Sequence, residues 1–505
     1  MEIRVIAADV TKVEAGAIIV SLFEGARSLD GDMATMDKAL GRAISRLVNQ
    51  GGIKGKLGEL TIIHSLGKLP AARVVIVGLG KKTALTVDKI RGVIAEACRS
   101  LRKKGVDDVA TIVPGAGIVD ITLESAAQAI TEGTLLGLYS FRRHITKKAE
   151  HGEIKRLSIV ASSEADTNSL ERGCDKGRVL AEAAKLARDM ANEPANYMTP
   201  ADMARVAGKL AQDHGLELSV LEREQLQRLG MGALLGVAQG SAQAPKFIVL
   251  SYKGSDSDGV GLALVGKGVT FDSGGISLKS GDKMEEMKGD MSGGAAVMAA
   301  TSAIARLKLK INVTAVVPAV ENLPSGFALK PGDILTAITG KTIEIISTDA
   351  EGRLIMADAL GYANKLKAKL IVDVATLTGA CQVALGSVCT GAFANNQELV
   401  QKVVAAGAEA GELMWQMPMH DEYKEQNKSD VADIKNVGDR DAGAGAITAA
   451  QFLAEFVGDT PWVHLDIAGT SMSDKERKYL AKGATGVPVR TLINLALAIA
   501  SSVVT

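Results

Sequence analysis

The sequence predicts an α/β fold of two domains, each with a mostly parallel or mixed sheet flanked by helices, joined by a long helix. The length of 505 residues exceeds what one hydrophobic core usually organises. Short apolar runs typical of buried strands alternate with segments of helical periodicity, and this alternation favours sheets covered on both faces. Hydrophobic residues make up 47% and charged residues 23%, which excludes a disordered or fibrous chain.

The N-terminal domain is predicted to span residues 1–165. Its predicted strands are Ile18–Leu22, Leu60–His64, Val74–Gly78, Val109–Val113 and Leu157–Ala161. Its predicted helices are Asp32–Asn49, Val87–Lys104 and Leu123–Tyr139. The turn Gly78-Leu79-Gly80 resembles half of a dinucleotide-binding fingerprint. The full motif does not follow, so a tight turn explains it without a ligand.

A long helix over Leu170–Asn192 is predicted to connect the domains, within residues 166–192. The C-terminal domain is predicted over residues 193–505. Four apolar runs predict its strands: Phe247–Ser251, Gly261–Gly266, Ile311–Val317 and Leu370–Thr376. They predict a second α/β sheet.

Charge and targeting features narrow the class of protein. Fifty-eight Lys and Arg balance 58 Asp and Glu, whereas a bulk nucleic-acid binder usually shows a basic excess. The four cysteines are scattered without a CxxC pair, which is typical of a reduced cytosolic protein. Glu2 and Asp9 stand where a signal peptide has basic and apolar residues, and no run reaches the ~18 apolar residues of a membrane span. We therefore expect a soluble, cytoplasmic protein without membrane association.

Four carboxylates follow or flank predicted strands between residues 265 and 358, and three basic residues are interleaved with them. These are Asp272, Asp290, Asp349 and Glu351, with Lys267, Lys279 and Arg353. Consecutive glycines at 274 and 275 permit positive φ and a close backbone approach at a sheet edge. In an extended stretch, residues 349 and 351 would point to the same side. Because converging carboxylates repel, divalent metal ions bound by oxygen ligands are the economical explanation.

Each of these residues also has an ordinary structural explanation. Asp290 precedes a strong helix and fits its N-cap, and Lys267 fits an ion pair with a nearby acid. The set as a whole favours a metal site, because packing alone does not favour burying acids in Gly-rich segments at strand ends. No histidine lies in this part of the sequence, which argues against a His-rich zinc centre.

The same residues resemble the leucyl aminopeptidase (cytosol aminopeptidase) family of two-metal exopeptidases. The family signature NTDAEGRL corresponds to Ser347–Leu354, and both VGKG-x-TFDSGG from Val265 and KGDM around Asp290 are intact. The similarity continues through Asn192–Pro200, Ala375–Ala380 and His464–Ser471. The resemblance thus spans the C-terminal domain, whereas the N-terminal third is similar only in its α/β pattern and length.

The resemblance implies two divalent metal ions per subunit, Mn²⁺ or Zn²⁺. The ligands of the tighter site would be Lys267, Asp272, Asp290 and Glu351, and those of the more exchangeable site Asp272, Asp349 and Glu351. A lysine ligand requires a neutral amine, which burial beside a dication would favour by depressing its pKa. The ions would activate a water molecule and bind the free α-amine of the substrate, which makes the enzyme an exopeptidase.

The resemblance also implies roles around the metals. Lys279 would stabilise the oxyanion of the reaction intermediate, and Arg353 would hold a bicarbonate that acts as general base. Main-chain donors for the bicarbonate would come from Ala350, Gly352 and Leu377. The pocket for leucine and other apolar N-terminal residues would be lined by Met287, Thr376, Gly379 and Ala468. The substrates would be peptides, and the assembly would be a homohexamer.

Two features depart from the family pattern. Ser347 replaces the usual Asn at the head of the signature, and it is shorter and lacks the amide. The segment Gly438–Thr448 resembles a Gly-rich AGxAIT region of the family but is longer by about two residues. Neither departure affects a predicted metal ligand.

Two other functions stay open at this stage. A carboxylate–metal phosphatase or nuclease also uses a two-metal site, although zero net charge and the ordered lysine–aspartate signature disfavour it. A nucleic-acid-binding regulator, which is a second role of some bacterial members of the family, is indicated only by the basic pairs Arg142-Arg143 and Lys147-Lys148. A solvated surface is the simpler explanation of those pairs.

Overall fold

The computed structural model describes residues 1–115, 121–439 and 441–502. Internal contacts divide the chain into two units, Met1–Glu182 with Lys475–Ala481, and Ala183–Asp474 with Lys482–Thr505. Each unit contains sheets flanked by helices, so the predicted α/β fold class is confirmed. The division falls inside the helix Thr167–Asn192. The domain limits given above stay a prediction.

The first unit is built on a six-stranded sheet. Its strands are β1 Glu2–Ala7, β2 Ala17–Phe23, β3 Leu60–His64, β4 Arg73–Gly80, β5 Asp108–Ile112 and β6 Arg156–Ala161. Its helices are α1 Gly31–Ala39, α2 Ala43–Asn49, α3 Val87–Lys103, α4 Leu123–Gly137 and the first part of α5 Thr167–Asn192. Short 3₁₀ helices occupy Val10–Lys12, Lys82–Ala84 and Glu164–Asp166. In the order β1-β6-β5-β2-β4-β3, every neighbouring pair is parallel except β3 with β4.

The single helix predicted over Asp32–Asn49 is wrong, because the chain forms the two helices α1 and α2 instead. Gly41 and the residue after it have positive φ of 65° and 61°, which no right-handed helix continues through. The buried Asp37 carboxylate accepts hydrogen bonds from the N–H groups of Ile44 at 2.8 Å and Ser45 at 3.0 Å. It thereby satisfies donors in the first turn of α2 that the break leaves open.

The second unit contains a nine-stranded mixed sheet and two smaller sheets. Its strands are β7 Glu217–Leu221, β8 Lys246–Tyr252, β9 Leu262–Gly266, β10 Gly268–Asp272, β11 Val313–Asn322, β12 Ile334–Thr336, β13 Thr342–Glu344, β14 Ile371–Ala375, β15 Thr390–Ala394, β16 Met414–Gln416, β17 Ile434–Lys435, β18 Trp462–Asp466, β19 Met472–Ser473 and β20 Gly483–Ala484. Its helices are the remainder of α5, α6 Pro200–His214, α7 Arg223–Leu229, α8 Gly232–Ala238, α9 Ser292–Arg306, α10 Glu351–Lys365, α11 Gly379–Leu385, α12 Gln397–Ala410, α13 Gly445–Ala454 and α14 Val489–Ser502. Two 3₁₀ helices occupy Met284–Met291 and Asp421–Asn427.

The large sheet has the order β16-β15-β18-β14-β9-β11-β8-β7, with β10 beside β11. The central strands β18, β14, β9 and β11 run parallel, and β10 runs parallel to β11. Every residue of β9, β14 and β18 is buried, as is usual for parallel strands covered on both faces. The carboxyl ends of these parallel strands therefore meet along one edge, where α/β sheets usually bind ligands.

A small sheet in the same unit has the order β12-β13-β17. Strand β13 leads into residues 345–350 and then α10, while β17 pairs parallel to β13. Among the described residues, no helix is both long and apolar enough to cross a membrane.

Candidate metal centre

Three buried acids converge at the carboxyl edge of the large sheet. Asp272 is the last residue of β10, Asp290 lies near the end of the 3₁₀ helix Met284–Met291, and Glu351 is the first residue of α10. One carboxylate oxygen of each lies within 4.8 Å of those of the other two. Burial raises the pKa of both Asp290 and Glu351, and the neighbouring Asp272 carboxylate raises them further. Three carboxylates this close need cations to stay ionised together.

Lys267 supplies part of that positive charge. It follows β9, and its Nζ lies 2.8 Å from Asp290 Oδ1 and 2.8 Å from Glu351 Oε1. Burial by itself lowers the lysine pKa, but the surrounding carboxylates outweigh burial and raise it. This is the ion pair that the sequence offered as the alternative for Lys267. Lys267 could bind a metal as a neutral amine only if a divalent cation bound the same carboxylates in place of the lysine's own charge.

Lys279 and Asp349 form the more accessible side of the cluster. Lys279 Nζ lies 2.8 Å from Asp272 Oδ2 and also pairs with Asp349. The side chains of Lys279 and Asp349 are 24% and 38% exposed, whereas that of Asp272 is 3% exposed. Burial alone would lower the Lys279 pKa, but the carboxylates raise it, so its amine stays protonated at neutral pH. The Asp349 carboxylate thus faces the cavity, and the positive charge of Lys279 lies beside it.

The geometry of the four acids fits the binding of a divalent metal ion. Within the described residues, Asp290 Oδ2 is buried without a hydrogen-bond partner, although its Oδ1 binds Lys267 and the Thr376 hydroxyl. An unsatisfied buried carboxylate oxygen is costly unless a cation binds it. Four carboxylates against two lysines also leave an excess of negative charge that a divalent ion would neutralise.

Arg353 lies in the first turn of α10 and is buried. Its Nη1 donates to the main-chain oxygen of Asn436 at 2.7 Å, and its Nε has no partner among the described residues. Burial lowers the pKa of the Arg353 guanidinium to about 10. The arginine is therefore held by one carbonyl and keeps a donor that an anion can use.

The residues predicted to bind bicarbonate occupy different positions. Ala350 and Leu377 line the same cavity as Arg353. The Leu377 N–H donates to Asp466 Oδ1 at 3.1 Å, so this donor already has a partner. Gly352 packs against Lys267, because a Cβ at this position would lie 2.6 Å from the lysine Nζ. The glycine is required there for the close approach of the lysine.

The residues predicted to bind the substrate side chain line one cavity of about 560 Å³ together with the carboxylates. These residues are Met287, Thr376, Gly379 and Ala468. Thr376 also orients the Asp290 carboxylate, since its hydroxyl donates to Asp290 Oδ1 at 2.6 Å. A methyl group added at Gly379 would meet no described atom within 4 Å, so this position opens into free space.

Two local expectations from the sequence are wrong. Residues 349 and 351 do not lie in an extended stretch: Asp349 lies in a turn and Glu351 starts α10, so the turn brings both to the cavity. Asp290 is not the N-cap of α9, because Met291 occupies that position and the Asp290 carboxylate binds Lys267 and Thr376 instead. The expected positive φ of Gly274 and Gly275 is confirmed at 87° and 66°.

The departures from the family pattern lie beside this centre. Ser347 is buried, lines the cavity and accepts a hydrogen bond from the Asp349 N–H at 3.4 Å. Its hydroxyl therefore supports the turn that carries Asp349. The segment Gly438–Thr448 includes Arg440, which lies outside the described residues, so the expected longer loop stays a prediction.

Three residues of the site carry no role in the sequence interpretation. Asn322, at the end of β11, donates from Nδ2 to Asp272 Oδ1 at 2.8 Å and to the Thr348 carbonyl at 3.0 Å. Asp466, at the end of β18, accepts from the Leu377 and Ala468 N–H groups, both at 3.1 Å. Asn436 binds the segment before α10 and Arg353. Asn322 and Asp466 lie at the ends of strands, which is the pattern that identified the four acids in the sequence. Asn436 comes after a two-residue strand that the sequence pattern does not reveal.

A buried set of carboxylates and lysines at a sheet edge, opening into a cavity, defines a metal-dependent hydrolase. Residues 185–493 match the family model described as the cytosol aminopeptidase family, catalytic domain, and residues 19–148 match its N-terminal domain. The chain belongs to the cytosol aminopeptidase family, and its activity is that of a metal-dependent N-terminal aminopeptidase.

Relatives of similar length support this assignment. The chain is 48% identical over 498 residues to a probable cytosol aminopeptidase of Alkaliphilus metalliredigens, covering 98% of this chain and 99% of that protein. It is 46% identical over 493 residues to one from Geobacter sulfurreducens, covering 98% of each.

Solved structures show the same fold over the whole chain. A mutant of tomato leucine aminopeptidase is 33% identical with a TM-score of 0.87, covering 99% of this chain and 96% of that one. The bottromycin maturation enzyme BotP in complex with Mn is 34% identical with a TM-score of 0.85, covering 96% of this chain and 100% of that one.

Proposed function

We propose that this aminopeptidase releases leucine and other apolar residues from the N-termini of peptides, using two divalent metal ions, Mn²⁺ or Zn²⁺. The observation that carries the proposal is the convergence of Asp272, Asp290 and Glu351 around Lys267, with one buried carboxylate oxygen left unsatisfied. When bound, the ions supply Lewis-acid activation of water and of the scissile carbonyl, and an anchor for the substrate α-amine.

The proposed ligand sets follow the exposure of the carboxylates. The tighter site takes Lys267, Asp272, Asp290 and Glu351, and the more exchangeable site takes Asp272, Asp349 and Glu351. The side chain of Asp349 is 38% exposed, whereas those of the other three acids are 8% exposed or less. A ligand open to the cavity supports easier exchange of the ion that it holds.

Two basic residues have separate roles in this proposal. Lys279 is held by Asp272 and Asp349 at the cavity, where its fixed positive charge would stabilise the oxyanion that develops during hydrolysis. Arg353 Nε, which has no partner among the described residues, would hold a bicarbonate, and an anion held there would supply a general base. Ala350, Gly352 and Leu377 remain proposed main-chain neighbours of that anion.

Substrate preference would follow from the shape of the cavity wall. Met287 offers an apolar, adaptable surface, while Gly379 and Ala468 leave room for a branched side chain. The proposal also includes a homohexamer and a cytoplasmic location. The similarity to probable cytosol aminopeptidases supports the location. A sedimentation experiment tests the hexamer, and a six-subunit particle is the expected result.

A substrate panel tests the proposed reaction. With Mn²⁺ present, leucine p-nitroanilide should be hydrolysed, and N-acetyl-leucine p-nitroanilide should not, because it lacks the free α-amine. p-Nitrophenyl phosphate tests the alternative of a two-metal phosphatase. Equal turnover of the acetylated compound would contradict the exopeptidase assignment, and turnover of the phosphate ester alone would replace it.

A further inference from the structure

Asn436 contacts two parts of the active site, the segment 345–350 and Arg353 in α10. It is completely buried and directly follows β17, and its N–H donates to the Glu344 carbonyl at 3.0 Å. The parallel pairing of β17 with β13 thus continues one residue further and fixes Asn436 beside the segment 345–350. This segment has no regular secondary structure and carries Asp349 into the cavity.

The Asn436 side chain binds both ends of that segment. Its Oδ1 accepts from the Ile346 N–H at 2.8 Å and from the Ser347 N–H at 3.4 Å. Its Nδ2 donates to the Ser347 carbonyl at 2.7 Å and to the Ala350 carbonyl at 3.5 Å. Both amide donors and both acceptor positions are therefore used, which is the full capacity of a carboxamide.

The main chain of Asn436 connects the same residue to Arg353. Its carbonyl oxygen accepts from Arg353 Nη1 at 2.7 Å, and the guanidinium is buried. One residue thus fixes the turn before α10 through its side chain and the arginine in α10 through its backbone. We propose that Asn436 is a positioning residue that holds the Asp349 turn and the Arg353 guanidinium in one geometry for metal and anion binding. This rests on the proposed roles of Asp349 and Arg353.

A positioning residue matters here because a metal site needs its protein ligands to be oriented before the metal binds. Carboxylates on irregular segments lose affinity for metals when the hydrogen bonds that orient them are lost, typically by about 10- to 100-fold. Asn322 supports the same segment from β11 through the Thr348 carbonyl, but it does not contact Arg353 in the described contacts. In the part of the chain that the structure describes, Asn436 is thus a residue that binds both the turn and the arginine.

The chain contains a matched control for this role. Asn312, just before β11, is also buried and binds a loop with its whole carboxamide. Its Oδ1 accepts from the Gly254 and Ser255 N–H groups, and its Nδ2 donates to the carbonyls of Ser257 and Gly259. Strand β11 separates it from Asn322 and the site, because the two asparagines flank opposite ends of that strand.

The test compares Asn436→Asp with Asn312→Asp in the full-length protein. In each variant a carboxylate oxygen replaces the Nδ2 donor and repels two carbonyls, so both proteins should lose stability. Only Asn436→Asp should lower the affinity for Mn²⁺, by about 10- to 100-fold in a calorimetric titration, and lower kcat more than it raises KM. Asn312→Asp should bind Mn²⁺ as the wild type does.

The outcomes separate this inference from the proposed function. A wild type that binds neither Mn²⁺ nor Zn²⁺ would overturn the proposed function; wild-type affinity and kcat in Asn436→Asp would overturn the role of Asn436 alone. If Asn436→Asp does not fold, Asn436→Ser replaces it, since the hydroxyl still accepts one N–H bond. Hydrogen exchange of the wild type adds a test without substitution: slow exchange of the Ile346 and Ser347 amides supports the role, and exchange as fast as in an exposed loop contradicts it.

Discussion

Each unit of the molecule contains a cluster of buried charged side chains, and the two clusters differ in how their charges are balanced. In the first unit, Arg91 Nε lies 2.8 Å from Glu132 and its Nη1 lies 3.1 Å from Asp88. Each acid has a further neutral donor: Gln128 donates to Glu132 at 2.6 Å, and the Tyr479 hydroxyl donates to Asp88 at 2.6 Å. Lys478 Nζ also lies 3.2 Å from Asp88, so two basic side chains face the two acids of this cluster.

In the second unit's cluster, the acids outnumber the basic side chains that pair with them. Four carboxylates share the two lysines Lys267 and Lys279, and the Asp290 Oδ2 atom has no partner among the described residues. Burial raises the pKa of Asp290 and Glu351, which is the cost of gathering like charges away from water. The difference teaches that burial of charge alone does not indicate function. An excess of one sign, beside a cavity, indicates that an ion from outside the chain belongs to the site.

The largest expected effect follows from removing a carboxylate that both proposed metal sites share. Asp272→Ala should abolish peptidase activity and at least one equivalent of bound metal, because Asp272 contacts the cluster and Lys279. Metal content is measured by atomic emission and activity with leucine p-nitroanilide. The control is Asp256→Ala in an exposed loop, which should keep both. Full metal content in Asp272→Ala would rule out its bridging role.

Removal of Lys279 should leave the metals but slow the chemistry. Lys279→Ala should lower kcat by about 10²–10³-fold with metal content unchanged, since one stabilising charge for the oxyanion is lost. Lys279→Arg retains the charge and should lose less activity. The measurement is steady-state kinetics with metal analysis of the same samples, and near-native turnover of the alanine variant would remove Lys279 from the mechanism.

A substitution in the first unit's cluster should lower the stability of the protein and leave its metal content unchanged. Glu132→Gln leaves the buried Arg91 without its closest carboxylate, and it should lower the free energy of unfolding by about 3–5 kcal/mol. Urea denaturation measures this. Glu124→Gln on the same helix breaks only an exposed pair with Arg172 and should cost about 1 kcal/mol or less. Equal stability of the two variants, or metal loss in Glu132→Gln, would remove the contrast between the clusters.

The strands that the sequence predicted were recognisable because buried strands of such sheets are short apolar runs. β9 and β14, which position the site, follow that pattern, and β11 exceeds its predicted limit by extending to Asn322. The large sheet also contains β7, β10, β15, β16 and β18, which were not predicted. The break between α1 and α2 was not predictable, since it depends on the Asp37 carboxylate binding residues seven and eight positions ahead. Helical periodicity reports which face is apolar, but it does not report such contacts.

The acids and lysines of the site were predictable because their chemistry is visible in the sequence at strand ends. The structure adds their distances and the unsatisfied Asp290 oxygen. Asn436 was not predictable, because β17 has only two residues and the Ile346 N–H that Asn436 binds is 90 residues away in the sequence. An asparagine that binds backbone atoms in a distant loop has no local pattern that distinguishes it from a turn residue.

The most direct test of the central claim is a metal-depletion experiment on the wild-type chain. After treatment with a chelator, the protein should no longer hydrolyse leucine p-nitroanilide, and activity should return in proportion to Mn²⁺ bound at equilibrium. The account predicts up to two bound ions per chain, in keeping with four carboxylates at the site. Unchanged hydrolysis by the fully depleted protein would contradict the claim that these carboxylates form the metal centre of the enzyme.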